Sequence, residues 1–515
     1  MNGEVLAFVL YFVAMLAIGV WFFVKSKDNG EKEYFLGGRS MGPWVTAMSA
    51  QASDMSAWLL MGLPGSILAF GLGQAWIGIG LALGTALNWI FVAKRLRKFS
   101  KAAGDSITLP QYLSNRFATA NPALKIICAV VFLISFTIYV ASAFSAGTTV
   151  FTTLFPQLDS TVAMVIFALI ILVYTFMGGF KAVCWTDFFQ GILMLIALLA
   201  VPIVIVCTKV LDTSALSQVY SYVENGKTVE CLFTSNLFGA SWQEIVSGLA
   251  WGLGYFGMPH ILVRFMSIEK PSMVKKSATV AIIWVVVTLF AAIMIAYFGR
   301  MLLAEQLLTV GNQKLVFIEF ARILFPGVVA GLLLAAIIAA SMSTADSQLL
   351  VASSSFTSDI YKPIFRKQAS DKEVTWVGRV VVVIVSVIAF LIANNGGDGA
   401  QAIMNMVENA WGLFGAAFGP VVLLSLFWKR FTYKGAVFGI VTGAVVDIVW
   451  LLMDKITFVF DSGKTFIFDT SSIYEILPGF IACLVVSVVV SLIDEKPSVE
   501  VVKIYETATD KNIDD

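Results

Sequence analysis

Ser49-Ala-Gln-Ala-Ser-Asp-Met-Ser-Ala-Trp58, followed by Gly62-Leu-Pro-Gly65, interrupts an apolar run long enough to cross a bilayer. It sets Gln51, Ser53, Asp54 and Ser56 within one short stretch of a membrane span. A carboxylate near mid-membrane costs roughly 2.5–3.5 kcal/mol on insertion scales, so Asp54 must face a partner or a cavity. Downstream, Trp251-Gly-Leu-Gly-Tyr-Phe-Gly-Met-Pro-His260 interrupts a second run. Its glycines and proline disfavour a continuous helix. Unwound backbone at membrane depth is tolerated only against protein or a polar cavity.

The rest of the chain places these two segments. Of 515 residues, 59% are hydrophobic and 13% are charged, about half the roughly 25% charge of soluble domains. That composition excludes an ordinary soluble protein, a disordered chain and a small secreted scaffold. Apolar runs recur near 5–24, 43–66, 70–93, 123–147, 161–178, 185–208, 241–262, 277–299, 326–358, 374–393, 402–427, 434–453 and 477–493, which predicts an all-α polytopic membrane protein with about thirteen spans in the lipid bilayer. The first run follows Met-Asn-Gly-Glu and has no small-residue cleavage site, so it reads as a retained helix. Most of the 34 Lys and Arg lie in alternate loops, among them Lys25–Arg39, Lys94–Arg116, Arg264–Lys276 and Lys362–Lys372. By the positive-inside rule those loops are cytoplasmic, the N-terminus is outside and the C-terminus is cytoplasmic. The acidic tail from Pro497 reads as mobile.

Other features exclude chemistry. A net charge of +1 offers no basic face for nucleic acid. His260 is the single histidine, so no multi-histidine metal site is available, and it reads as structural. The five cysteines form no CxxC pair and read as small buried hydrophobes. Gly463-Lys464-Thr465 resembles the end of a phosphate loop, but Phe458 stands where the first glycine is required. With no nucleophile–base pair, the chain does not read as an enzyme. The loops leave no room for an ATP-hydrolysing domain, so any transport must be driven by a gradient.

Spacing then becomes informative. The interrupted runs are the second and seventh, five spans apart, and each can open a five-helix unit. Because five is odd, the second unit is inverted relative to the first. Matching broken helices in two inverted halves point to a transporter's central site. The ninth run carries Ala339-Ala-Ser-Met-Ser-Thr-Ala-Asp-Ser347. Ala340, Ser343 and Thr344 share one helix face, and two hydroxyls with nearby carbonyls suit a hard cation. Ser343, Asp346 and Ser347 form a second such set. Hydroxyls bonded back onto their own helix are the alternative.

These segments resemble the sodium/solute symporter family, most nearly its proline-transporting branch. Gly37-Gly-Arg-Ser40, Tyr174 to Gly179, Trp185-Thr-Asp187, Gly412 to Pro420 and Tyr474 to Phe480 extend the likeness over nearly the whole chain. The resemblance implies a LeuT-type core of two inverted five-helix repeats, 43–208 and 241–427. Around it lie 1–42 (first helix and loop), an extracellular loop 209–240, two peripheral helices in 428–496 and a tail 497–515. It implies a plasma-membrane symporter working by alternating access, with Na+ as coupling ion and L-proline as solute. Sodium ligands would be the carbonyls of Ala52, Met55 and Ala340 and the hydroxyls of Ser343 and Thr344, with Asp54 in support. Ser56, Trp58, Tyr139, Trp251 and Tyr255 would form the proline pocket. Asp187, Asp346 and Ser347 are a candidate second cation site, though Asp187 also reads as a residue near a helix N-terminus. Ala57 stands where the proline branch usually has Gly. That leaves pantothenate, choline, a monocarboxylate or a sugar as alternative solutes.

Overall fold

A computed structural model describes residues 3–25, 30–224, 227–395, 400–453, 455–459 and 465–510. Of the described residues 83% are helical, because in lipid a helix satisfies its own backbone hydrogen bonds. Among the described residues, ten helices are long and apolar enough to cross a membrane, or eleven if the bent pair Trp242–Phe256 and Pro259–Ser267 is one span. The expected count of about thirteen exceeds this for a physical reason. The run at 43–66 is cut into pieces that are each too short, and Ser160–Val173 is a short apolar helix joined to Gly179–Thr208 by a kink. At that kink Gly179 adopts φ 62°, ψ 176°, a conformation open to glycine.

The first interruption lies where the sequence places polar residues, not at the Gly-Leu-Pro-Gly that follows. Helix Pro43–Asp54 stops at Met55 (φ −79°, ψ 69°). Ser56 then caps a short turn, its Oγ accepting from Trp58 N at 3.2 Å. Pro64 sits in the first turn of helix Gly62–Phe70, where its missing N–H costs no hydrogen bond. In the second interruption, helix Trp242–Ala250 gives way to a tighter helical stretch, Trp251–Phe256. Pro259 opens the next helix, Pro259–Ser267, at its first position.

Glycines let these elements meet. A Cβ on Gly80 would lie 2.2 Å from the Gly248 carbonyl, and one on Gly84 would lie 2.3 Å from that of Gly252. Gly415 packs as tightly on Ile476 and Gly254. The GxxxG runs Gly80–Gly84 and Gly415–Gly419 therefore join helices within one chain, as small residues do in membranes.

Outside the spans the structure adds what the hydropathy pattern cannot carry. The loop 209–240 contains two paired antiparallel strands, Tyr220–Glu224 and Lys227–Cys231, and Lys455–Val459 pairs with Thr465–Asp469. Gly463 and Lys464 lie outside the described residues. The tail expected to be mobile is instead a helix, Val499–Thr509. Arg116 Nη1 donates to the Val501 carbonyl at 3.3 Å, Tyr505 packs on Phe99 at 5.3 Å, and Lys429 pairs with Glu506 at 2.6 Å. Those contacts supply the burial that the short segment cannot find alone.

Candidate functional site

The broken helix Pro43–Asp54 packs on helix Gly327–Phe356. Ser343 Oγ donates to the Ala52 carbonyl at 2.8 Å, with the Ala340 carbonyl 3.2 Å away. Thr344 is fully buried, and its Oγ1 has no hydrogen-bond partner. An unsatisfied buried hydroxyl costs roughly 1–3 kcal/mol, so this one calls for a ligand. Met55 is the residue at which the helix stops. Ala52, Ala340 and Ser343 are thus in direct contact, Thr344 is next in sequence, and the donor set is wholly oxygen. That set fits a hard cation.

Asp54 finds the partner its depth demands. Tyr255 Oη donates to Asp54 Oδ2 at 2.5 Å, and Tyr139 Oη donates to the Asp54 carbonyl at 3.5 Å. Both tyrosines are buried, and each is engaged with the break through Asp54. Asn88 Nδ2 fixes the second break by donating to the Tyr255 carbonyl at 2.9 Å.

Above the break is an aromatic stack. Trp58 and Trp251 lie 5.7 Å apart with rings 27° from parallel. Trp251 also packs on Trp411 at 6.5 Å and Tyr474 at 5.1 Å. Trp411 Nε1 donates to the Trp251 carbonyl at 2.8 Å. Trp411 was not singled out from sequence, although it immediately precedes the Gly412 stretch. Trp251 reaches a cavity of about 800 Å³ also lined by Gln74, Ser247, Glu408, Tyr474 and Glu475. At the far ends of the two broken elements, before Pro43 and after Ser267, a hydrogen-bond network ties the chain together. Met41 and Glu269 donate to the Ser267 and Met41 carbonyls at 3.2 and 3.1 Å. Arg39 reaches Asp105 Oδ1 at 2.8 Å, Ser100 Oγ, and the Met266 and Ser106 carbonyls. Arg97 Nε donates to the Ile268 carbonyl at 2.6 Å.

Asp187 and Ser347 meet around a residue that sequence reading missed, and Asp346 joins only through its Oδ1, 3.4 Å from Ser347 Oγ. Arg264 Nη2 pairs with Asp187 Oδ2 at 3.0 Å and donates to Ser347 Oγ. Ser49 Oγ donates to the same Asp187 oxygen at 2.7 Å and accepts from Arg264 Nε at 3.0 Å. Asp187 Oδ1 and Asp346 Oδ2 are left without partners. Asp187 lies well inside helix Ser160–Thr208, beyond the Gly179 kink, so the helix-terminus reading is corrected. Its charge is held by a guanidinium rather than by a dipole. His260 is buried, its nitrogens make no hydrogen bond, and its ring meets Phe136 edge-on at 5.8 Å.

A profile of the sodium:solute symporter family matches residues 34–443. The chain belongs to the sodium:solute symporter family. It is 42% identical over 492 residues to the sodium/proline symporter of Staphylococcus aureus strain JH9, covering 95% of this chain and 92% of that one. The same protein of strain NCTC 8325 matches equally. Among solved structures, a Na+-coupled sialic acid symporter in a substrate-bound outward-open state aligns with a TM-score of 0.75 at 21% identity, over 97% of this chain and 99% of that one. Mhp1, a nucleobase-cation-symport-1 transporter in a closed conformation, aligns at 0.55 and 14%, over 92% and 98%. The fold of this family member is therefore the LeuT type, in a multi-pass plasma-membrane protein.

Proposed function

We propose that this family member is a sodium-coupled L-proline importer, and not an enzyme. The relatives named as sodium/proline symporters, 42% identical over nearly the full length, support the solute. The observation that carries the ion reading is the unpartnered Thr344 hydroxyl beside the Ser343–Ala52 contact. Sodium binds to the carbonyls of Ala52, Met55 and Ala340 and to the hydroxyls of Ser343 and Thr344. It ties the broken helix to Gly327–Phe356. Asp54 acts through Tyr255, holding the two breaks in register. The proline ring then lies against Trp58 and Trp251, with Ser56, Tyr139 and Tyr255 offering polar atoms to the zwitterion. Asp187, Asp346 and Ser347 form a second cation site in which Arg264 is the resident positive charge.

The charge bias of the loops supports an N-terminus outside and a cytoplasmic C-terminus. The cavity at Trp251 then opens outward, and the Arg39–Asp105 side is the closed cytoplasmic gate. The units 43–208 and 241–427 are the two repeats, and they exchange these openings during the cycle. Membrane potential supplies about 2.3 kcal/mol per charge per 100 mV, and a tenfold sodium gradient adds about 1.4 kcal/mol. Together they support several-hundred-fold accumulation of a net-neutral solute at one sodium per cycle.

Labelled proline uptake into proteoliposomes tests the reading. Accumulation with an inward sodium gradient, lost when potassium replaces sodium, is the expected result. Ala57 packs beside Trp58 and is buried, which keeps a sibling solute as the second reading. Competition for sodium-driven uptake by pantothenate, choline, a monocarboxylate or a sugar but not by proline would select it.

A further inference from the structure

Three helices meet beside the cavity that reaches Trp251. They are Ala400–Phe427, Tyr433–Leu452 and Ile476–Ile493. Small residues make the junction. A Cβ on Gly443 would lie 2.4 Å from the Ala416 carbonyl, and one on Gly479 would lie 2.6 Å from Ala416 Cβ. Two carboxylates are buried there, Asp447 at 1% exposure and Glu475 at 7%. Asp447 Oδ1 and Glu475 Oε1 have no hydrogen-bond partner. Both atoms lie 3.2 Å from the point where Gly412 would carry a side chain. The space left by that glycine is therefore faced by two unpartnered carboxylate oxygens, and Glu475 also lines the cavity.

Uncompensated carboxylates are costly in a low-dielectric interior. Oxygen ligands converging on a gap of this size suit a small hard cation. We infer that Asp447 and Glu475 bind such a cation over Gly412, at a site separate from Ser343 and Thr344. The site staples the two peripheral helices to Ala400–Phe427, which carries Trp411 of the aromatic stack. It lies beside the cavity that Glu475 lines, so on the proposed orientation it is loaded from outside.

The test is the melting temperature of the purified full chain at constant ionic strength, with choline replaced by sodium in one arm and calcium in the other. S343A/T344A is the background, so that the core hydroxyls do not contribute. An upward shift of a few degrees with at least one ion is expected, since a ligand that binds only the folded state stabilises it. The arms identify which ion the site takes. Adding D447N/E475Q should remove the part of the shift that the Asp187–Asp346 site does not supply. G412A should abolish that part independently, because its methyl fills the gap while both charges remain, so misfolding of the amide variant does not leave the question open. No shift with either ion in S343A/T344A would overturn the site. So would a shift left unchanged by D447N/E475Q. If the core sodium reading is wrong, S343A/T344A transports as wild type and the comparison with D447N/E475Q still decides.

Discussion

Ser343 and Thr344 are adjacent, yet the fold uses them differently. Ser343 Oγ is bonded to the Ala52 carbonyl, whereas Thr344 Oγ1 has no partner. Ser343→Ala should lower the melting temperature in sodium-free buffer, losing about 1 kcal/mol for one hydrogen bond. Thr344→Ala should leave it unchanged or higher, while raising the half-saturating sodium concentration for proline uptake at least tenfold, about 1.4 kcal/mol. Equal sodium dependence in wild type and Thr344→Ala would remove Thr344 from the ligand set. Arg264 makes a sharper case. Removing one member of a buried pair costs roughly 3–5 kcal/mol, so Arg264→Gln should fall steeply in melting temperature. D187N/R264Q should recover part of that loss, because the stranded charge is gone. Asp54, Ser343 and Thr344 were legible because polar residues stand out in an apolar run. Arg264 was not, since it falls at the edge of its run and reads as a loop charge. Only the crossing of Ser49, Asp187 and Ser347 around it reveals a buried ion pair.

Helix interruptions were legible as places but not as mechanisms. The interruption was read across Ser49–Trp58 and Gly62–Gly65 together, and the chain departs from helix within the first of these, at Met55 and Ser56. Pro64→Ala should therefore shift stability by less than about 0.5 kcal/mol, because a first-turn residue needs no backbone partner. Ser56→Ala should cost about 1 kcal/mol through loss of the cap. Thermal melting of the two variants checks the order, and a larger loss for Pro64→Ala would move the hinge back to the proline. The tail helix Val499–Thr509 was illegible because it lacks bilayer length, and what orders it is distant in sequence. Arg116, Phe99 and Lys429 hold it. Ending the chain at Lys496 should lower the melting temperature by a few degrees and expose Phe99.

Taken as a whole, the molecule has a cavity beside Trp251 and a hydrogen-bond network around Arg39. One guanidinium ties the loop after Leu36 to Ser100, Ser106 and Met266. Arg39→Ala should raise the alkylation rate of a cysteine at Met266→Cys several-fold, in a background with the exposed Cys207 replaced by serine. An unchanged rate would mean that Arg39 does not hold the gate. Hydropathy gave the membrane path and the broken pairs. It could not give where the cavity and that network lie, because both depend on side-chain contacts between segments far apart in the chain. The aromatic stack beside the cavity has an optical consequence. Trp58 and Trp251 lie 5.7 Å apart and nearly parallel, close enough for their indole transitions to couple. Near-ultraviolet circular dichroism should carry a paired signal from them that vanishes in Trp251→Phe. As one ring is borne by each broken helix, the cycle can be followed by light on the unlabelled protein.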